Sequence, residues 1–190
     1  LTDLSRYIKS SKTATKQIVE SLVQTQFLNR DIIGKAWLLS ANQKNSYFIT
    51  KKIPYNLSLV YESGILGAIY KIVPSPRAII LFGSYRWGTD IEESDIDIAV
   101  EVIEIPANLV ALQSGISNRH SRTNGSSINE NSYINNNELK VISLGVIEQL
   151  AYRKNVQVNL HIFSRNKIDS NLFANVANGI VLDGFLEVRK

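Results

Sequence analysis

The stretch LFGSYRWGTDIEESDIDIAV, residues 81–100, limits the possible folds of this chain more than any other. A Gly-Ser pair follows the apolar run 79–82, and after ten intervening residues two aspartates, Asp95 and Asp97, alternate with isoleucines. Alternate residues of a strand point to the same face, so both carboxylates leave one side of the strand. At about 4 Å, in an effective dielectric near 20, they would repel each other by roughly 4 kcal/mol. The segment therefore predicts two strands joined through a glycine turn, with a cation between the aspartates.

The residue types around this turn suit a phosphorylated ligand. Gly83 has no Cβ, so its backbone can approach a phosphate closely, and Ser84, at the start of a predicted helix, offers a hydroxyl and a backbone N–H. Asp95 and Asp97 supply the oxygen ligands that Mg²⁺ prefers, and Mg²⁺ is usually shared between carboxylates and substrate phosphates. The chain has no cysteine, so any metal site must use oxygen or imidazole ligands.

These residues together resemble the signature of the nucleotidyltransferases of the DNA polymerase beta superfamily. The resemblance extends to Arg86, Gly88 and Ser94, which are similar to the minimal nucleotidyltransferase branch. It implies a mixed-sheet α/β domain that transfers a nucleoside monophosphate, AMP from ATP or the equivalent from another NTP, to a hydroxyl acceptor. It also implies site roles: Gly83, Ser84 and Arg86 bind the nucleotide, and Asp95 and Asp97 hold Mg²⁺ or Mn²⁺ and carry catalysis. Members of this branch often act with a protein partner.

The superfamily usually has a third acid on a neighbouring strand, and the strand available here, VQVNLHIFS at 156–164, has none. Asn159 best matches that position and could ligate a metal through its amide oxygen, but it brings no charge and cannot act as a base. His161, on the same face, is the alternative. Glu101 shares the parity of Asp95 and Asp97, and we expect it to support the site from the far end of its strand.

The N-terminal part of the chain is basic, with ten Lys and Arg against four Asp and Glu in residues 1–72. Helical periodicity on either side of KSSKTAT predicts a short helix and a longer one, and β-prone runs at 36–39 and 47–50 predict a hairpin. This order resembles a winged helix-turn-helix, which we assign to residues 1–54. The resemblance implies binding of double-stranded DNA through the second helix and the hairpin, by Lys12, Thr13, Thr15, Lys16, Gln17 and, on the wing, Lys44.

The remaining residues, 55–190, form the predicted nucleotidyltransferase domain. It begins with a connector helix over 58–72, which Pro74 and Pro76 end. An Asn- and Ser-rich insert at 113–138 predicts a long loop, and a helix is expected over 138–152. The strand at 156–164, a helix near 168–177 and a closing strand within 179–188 complete a mixed α/β sheet.

Two function classes remain open. One is a metal-dependent nucleotidyltransferase; the other is a DNA-binding regulator, or antitoxin-like protein, whose nucleotidyltransferase domain is catalytically degenerate. A small-molecule adenylyltransferase of the aminoglycoside type is a third reading, although it leaves the basic N-terminal part without a purpose. No apolar run approaches the roughly 20 residues that span a bilayer, so we expect no membrane association and a cytoplasmic location.

Overall fold

The computed structural model describes residues 1–105, 134–135 and 139–188. The chain divides into two compact units, Leu1–Lys52 and Ile53–Lys190. The predicted insert at 113–138 lies outside the described residues apart from Ile134–Asn135, which form a short strand. No helix in the described ranges is long and apolar enough to cross a membrane.

The first unit contains two helices followed by a two-stranded antiparallel hairpin. Helix α1 spans Thr2–Tyr7 and helix α2 spans Lys12–Gln24, and the side chain of Ser11 caps α2 by accepting the backbone N–H of Ala14. Strands β1, Leu28–Ile33, and β2, Ala36–Ala41, pair around a turn at Gly34 and Lys35. The assignment of this unit as a winged helix remains a prediction.

In the second unit, the described residues form a six-stranded mixed sheet in the order β5-β6-β7-β4-β3-β8. Its strands are β3 (Ala78–Phe82), β4 (Ile96–Val102), β5 (Ile134–Asn135), β6 (Leu139–Leu150), β7 (Arg153–Ser164) and β8 (Ile180–Gly184). The helices described in it are α4 (Ile65–Ile72), α5 (Gly83–Trp87) and α6 (Ser170–Ala177), with a 3₁₀ turn at Arg165–Lys167. Helix α3 (Ser46–Glu62) contains the boundary between the units. The mixed α/β class that the sequence predicts is confirmed.

The two faces of this sheet are covered unequally. One face carries the larger core, where residues of α3 and α4 such as Val60, Ile65 and Ile69 pack on alternate residues of β3, β4 and β7. On the other face a smaller cluster, which includes Ile80, Phe163 and Val176, joins α6 to one end of the strands. The other end of this second face, where β4 begins, carries the polar side chains described below.

The predicted hairpin strand at 47–50 is wrong, because these residues lie in the first turns of α3. The backbone N–H of Tyr47 donates to the Asn45 side chain at 2.9 Å, which caps the helix start. Tyr47, Phe48 and Ile49 prefer strands, but this preference contributes less to the local conformation than the cap and the packing of the helix do. The true hairpin is β1–β2, and Lys44 lies in the link between β2 and α3 instead of on a wing.

The predicted connector helix over 58–72 is also corrected. The chain is already helical from Ser46, and Gly64 separates α3 from α4 with a φ of +79°. Glycine enters this left-handed region without steric cost, so it can end one helix and precede the next.

The helix expected over 138–152 is in fact strand β6. Its apolar residues also fit helical spacing, but the pairing of β6 with β7 from Leu139 to Leu150 decides the conformation. A bulge between Ser143 and Gly145 interrupts the register, and Gly145 has a φ of +111°.

Candidate active site

Three polar side chains meet where β4 begins. Asp97 is paired with Phe82 of β3 on one side and with Asn159 of β7 on the other. The amide nitrogen of Asn159 lies 3.2 Å from Asp95 Oδ2 and 3.4 Å from Asp97 Oδ1. The structure thus brings together the two predicted carboxylates and the predicted third residue.

The contact of one amide with two carboxylates has a simple electrostatic reason. Two like charges on one face of a strand repel each other. The Asn159 NH₂ group carries a partial positive charge and contacts both carboxylates, so it reduces this repulsion. The oxygen and nitrogen of an amide are assigned from such contacts, and half a turn of the amide presents Oδ1 in place of Nδ2. Asn159 can therefore donate to the carboxylates when they are alone and ligate a cation that they share.

The turn between β3 and α5 touches the same carboxylate. Gly83 has a φ of +70°, and a Cβ placed on it would lie 2.8 Å from Asp97 Oδ2. Both the conformation and the space therefore require glycine at this position. The backbone of the Gly-Ser turn and the carboxylate of Asp97 form two adjacent walls of one site.

His161, the alternative third residue, also reaches this site. Its Nε2 lies 3.5 Å from Asp97 Oδ1, and its ring packs edge-on against Phe82 at 4.9 Å between centroids. Its Nδ1 is buried and finds no hydrogen-bond partner among the described residues. His161 is thus adjacent to Asp97, and it lies two residues beyond Asn159 on the same face of β7.

The predicted nucleotide-binding residues Ser84 and Arg86 lie on the short helix α5. Ser84 is partly exposed, directly after Gly83. Arg86 uses its Nε to donate to the Asn178 carbonyl at 2.6 Å, and its guanidinium stacks 3.7 Å from the centroid of the Trp87 ring. These contacts commit part of Arg86 to the protein itself, and its role toward phosphate remains a prediction.

The expectation that Glu101 supports the site is wrong. Glu101 lies four residues beyond Asp97 on β4, about 13 Å along the strand. Its carboxylate is fully buried and faces Arg165 Nε at 3.1 Å and Arg77 Nη1 at 3.8 Å. A buried carboxylate needs cationic partners, and these two arginines tie Glu101 to the opposite end of the sheet.

A cavity of about 400 Å³ opens beside Asp95. One wall is the loop 92–95 and the other is the start of β7, residues 153–157. Small-molecule sites range from roughly 300 to 1,000 Å³, so the cavity can admit a substrate group next to the carboxylates.

The donor set suits a hard divalent cation. Two carboxylates and one amide oxygen are the ligands that Mg²⁺ and Mn²⁺ accept, with substrate oxygens or water completing the coordination. No group of three or more His, Cys, Asp or Glu that could hold a metal occurs among the described residues. The site therefore has two acids, and Asn159 is what distinguishes it from a three-carboxylate centre.

In the first unit, the predicted DNA-contacting residues differ in exposure. Lys12, Thr13, Lys16 and Gln17 are exposed on α2, with Lys16 Nζ 3.7 Å from Glu20. Thr15 is fully buried, and its hydroxyl donates to the Ser11 carbonyl at 2.9 Å, so the prediction that it contacts DNA is wrong. The lysine at the hairpin tip is Lys35.

Comparison with known proteins finds one matching family and one similar solved structure. Residues 63–164, more than half of the chain, match the family described as the nucleotidyltransferase domain. No curated protein sequence matches the chain. A solved structure, the MgGTP-bound Cid1 poly(U) polymerase, is 16% identical over 87% of this chain and 42% of that one, with a TM-score of 0.35. The chain thus spans less than half of that polymerase, and the family match is the stronger of the two similarities.

Proposed function

Because the chain belongs to the nucleotidyltransferase domain family, we propose that it transfers a nucleoside monophosphate from a nucleoside triphosphate, most simply AMP from ATP, to a hydroxyl acceptor. The observation that carries this proposal is the contact of Asn159 with both Asp95 and Asp97, directly beside the close approach of Gly83 to Asp97. These contacts join the glycine turn and both aspartates in one site.

The proposed reaction forms a bond between the acceptor oxygen and the α-phosphorus and breaks the bond from that phosphorus to pyrophosphate. Gly83 and Ser84 hold the triphosphate, and the absence of a side chain on Gly83 lets Asp97 lie against the turn that holds it. The acceptor enters from the cavity beside Asp95. Asn159 cannot take a proton, and both aspartates are committed to the cation, so the acceptor proton leaves to the solvent that reaches the site at the exposed Asp95.

Asp95, Asp97 and the amide oxygen of Asn159 would hold Mg²⁺ or Mn²⁺ in this site. When bound, such a cation neutralises charge on the phosphates and on the leaving pyrophosphate. The two aspartates would position the α-phosphorus against the acceptor, and Asn159 would complete the ligand set without adding a third negative charge. The chain's own contribution is thus to orient the nucleotide and to keep the glycine turn close to the carboxylates.

Incubation with α-labelled nucleoside triphosphates and Mg²⁺ or Mn²⁺ tests the reaction. We expect pyrophosphate release, with label on the protein itself, on a nucleic acid or on a partner protein, and none in the presence of EDTA. Equal release by a protein carrying both Asp95→Asn and Asp97→Asn would overturn the enzymatic proposal. Nucleotide binding without turnover would instead favour the regulator with a degenerate domain.

Replacing Asn159 with aspartate tests the role of the third position. In EDTA, Asn159→Asp adds a third charge and removes two donated contacts, so we expect the free energy of unfolding to fall by about 1–3 kcal/mol. With Mn²⁺ we expect the affinity for the metal to rise at least tenfold, which titration calorimetry can measure. Asn171→Asp, on the exposed first turn of α6, is the matched control and should change neither quantity. Unchanged metal affinity in Asn159→Asp would show that this position does not face the cation.

We propose DNA binding through α2 as a second function, supported by the exposure of Lys12, Thr13 and Lys16 on that helix. Each lysine that contacts a phosphate contributes about 0.9 to the slope of log affinity against log salt. Lys12→Ala and Lys16→Ala should therefore each weaken duplex binding and reduce this slope by about one. Lys71→Ala, an exposed lysine of α4, should leave both unchanged. Fluorescence anisotropy with a labelled duplex at several salt concentrations measures the affinity and its salt dependence. Equal slopes of log affinity against log salt for all variants would exclude the DNA proposal.

A further inference from the structure

Arg153, the first residue of β7, is a charged side chain with only 2% of its surface exposed. A guanidinium is costly to bury unless its donors are satisfied. Its Nε and Nη2 donate to the carbonyl of Glu92 at 3.1 and 2.6 Å, and Nη2 also donates to the carbonyl of Ser94. Arg153 thus binds the backbone of the loop between α5 and β4, immediately before Asp95.

The other donors of Arg153 lead to a buried network. Nη1 donates to the Tyr85 hydroxyl and lies 3.8 Å from Oδ2 of Asp90, which is itself buried. Oδ1 of Asp90 accepts from the Asn56 amide at 2.6 Å, and the same amide donates to the Tyr85 carbonyl at 3.0 Å. The network therefore fixes the loop 88–95 to α3, α5 and β7 at once.

Tyr85 acts in this network as a neutral partner. Burial raises the pKa of Tyr85 to about 12, so its hydroxyl stays protonated near neutral pH and accepts from Arg153 through its oxygen. The charge of Arg153 is balanced instead by Asp90, at the carboxyl end of the turn that follows α5.

We propose that Arg153 is a positioning residue of the candidate site: with its charge balanced by Asp90, it holds the carbonyls of Glu92 and Ser94 and thereby fixes where Asp95 faces Asp97 and Asn159. Apolar residues of similar size could fill the same interior space, but they could not bind two carbonyls of this loop. The effect of Arg153 on the loop does not depend on the proposed function. Only the expected effect on metal binding rests on the proposed function.

A second arginine in the same unit, the partly exposed Arg165, also faces a buried carboxylate and offers a control. Arg165 faces the fully buried Glu101 at 3.1 Å, at the far end of β4 from Asp95. Arg165→Met and Arg153→Met each remove an arginine from a buried carboxylate, so both are expected to lower stability. Only Arg153→Met removes contacts to the loop 88–95.

Hydrogen exchange of backbone amides and Mn²⁺ titration, on the full chain, test the proposal. We expect Arg153→Met to speed exchange in residues 88–97 at least tenfold and to weaken Mn²⁺ binding ten- to a hundredfold. Arg153→Lys keeps the charge but has no planar fork to bind two carbonyls, so we expect it to show the same local change with less global loss. This second variant keeps the test valid if Arg153→Met does not fold. Arg165→Met should leave both quantities at the wild-type level.

Two results would overturn the positioning role: unchanged exchange in the loop of both Arg153 variants, or equal weakening of Mn²⁺ binding by Arg165→Met. If the wild-type protein binds no Mn²⁺, the proposed function fails, while the exchange measurement still decides whether Arg153 fixes the loop. The two failures are therefore distinguishable.

Discussion

Replacing Asp97 with asparagine is expected to reduce nucleotidyl transfer by about a thousandfold, equivalent to ~4 kcal/mol of transition-state stabilisation. Asp97 is the carboxylate that contacts Asn159, His161 and the edge of the Gly83 turn. The asparagine keeps the size of the side chain but removes the charge that would hold a cation next to the triphosphate. The rate of pyrophosphate release at saturating nucleotide measures the loss.

The folded state should survive this change. Without a divalent cation Asp97 is repelled by Asp95, so Asp97→Asn is expected to leave the unfolding midpoint in EDTA unchanged or to raise it. Glu104→Gln, at an exposed acid just beyond β4, is the matched control and should keep the wild-type rate. A wild-type rate in Asp97→Asn would exclude Asp97 from the reaction.

The second large effect is expected at Gly83. An alanine there meets two obstacles, a φ of +70° and a Cβ position 2.8 Å from Asp97 Oδ2. Left-handed backbone costs a residue with a side chain about 1–2 kcal/mol, and the overlap adds roughly 1–3 kcal/mol unless Asp97 moves. If Asp97 moves, the site is displaced instead. We therefore expect Gly83→Ala to lower the affinity for nucleotide at least tenfold, measured by titration calorimetry with Mn²⁺ present.

Gly64 separates the two causes. It also has a left-handed backbone, with a φ of +79°, but a Cβ placed there meets nothing within 4 Å. Gly64→Ala should therefore lose about 1–2 kcal/mol of stability and keep nucleotide affinity. Equal nucleotide affinity in Gly83→Ala and Gly64→Ala would mean that the approach of Gly83 to Asp97 has no part in binding.

The central part of the fold could be predicted because its strands are short, apolar and bounded by strong signals. Ala78–Phe82 and Ile96–Val102 are nearly all buried, and a glycine turn and alternating aspartates mark where they meet. The same alternation gave the face of Asn159 and His161 on β7 correctly. Local pattern is sufficient to predict these strands, because the residues that alternate with strand period are also the residues that become buried.

The prediction failed where distant residues choose between two acceptable local structures. Residues 139–150 fit a helix and a strand about equally well, and their pairing with β7 decides for the strand. Tyr47 to Thr50 favour a strand, but the cap from Asn45 begins α3 before them. Both decisions depend on contacts that a window of local sequence does not contain.

The buried network of Arg153 and Asp90 gave no sequence signal either. Arg153 precedes an apolar strand, where a basic residue is ordinarily exposed, and Asp90 lies in a polar loop. Their pairing joins positions 63 residues apart, and only the folded chain shows that both are inside.

Asn159 is the residue on which the choice between an enzyme and a regulator depends most. Its amide contacts both carboxylates, which a third aspartate could not do favourably without a cation. The amide eases the repulsion between the two carboxylates when no cation is bound, and its oxygen can still ligate a cation that they share. We therefore expect the protein to fold in EDTA and to need a divalent cation for nucleotidyl transfer.

Binding of an uncleavable α,β-methylene ATP, titrated with Mn²⁺ or with EDTA present, tests most directly whether the glycine turn and the aspartates form one nucleotide–metal site. The wild-type protein should bind this analogue at least tenfold more tightly with Mn²⁺. A cation that contacts both the aspartates and the nucleotide phosphates makes the affinity for the nucleotide depend on the metal. A protein with Asp95→Asn and Asp97→Asn should bind it equally with and without the metal. Equal affinity in the wild-type protein under both conditions would contradict the existence of a shared site.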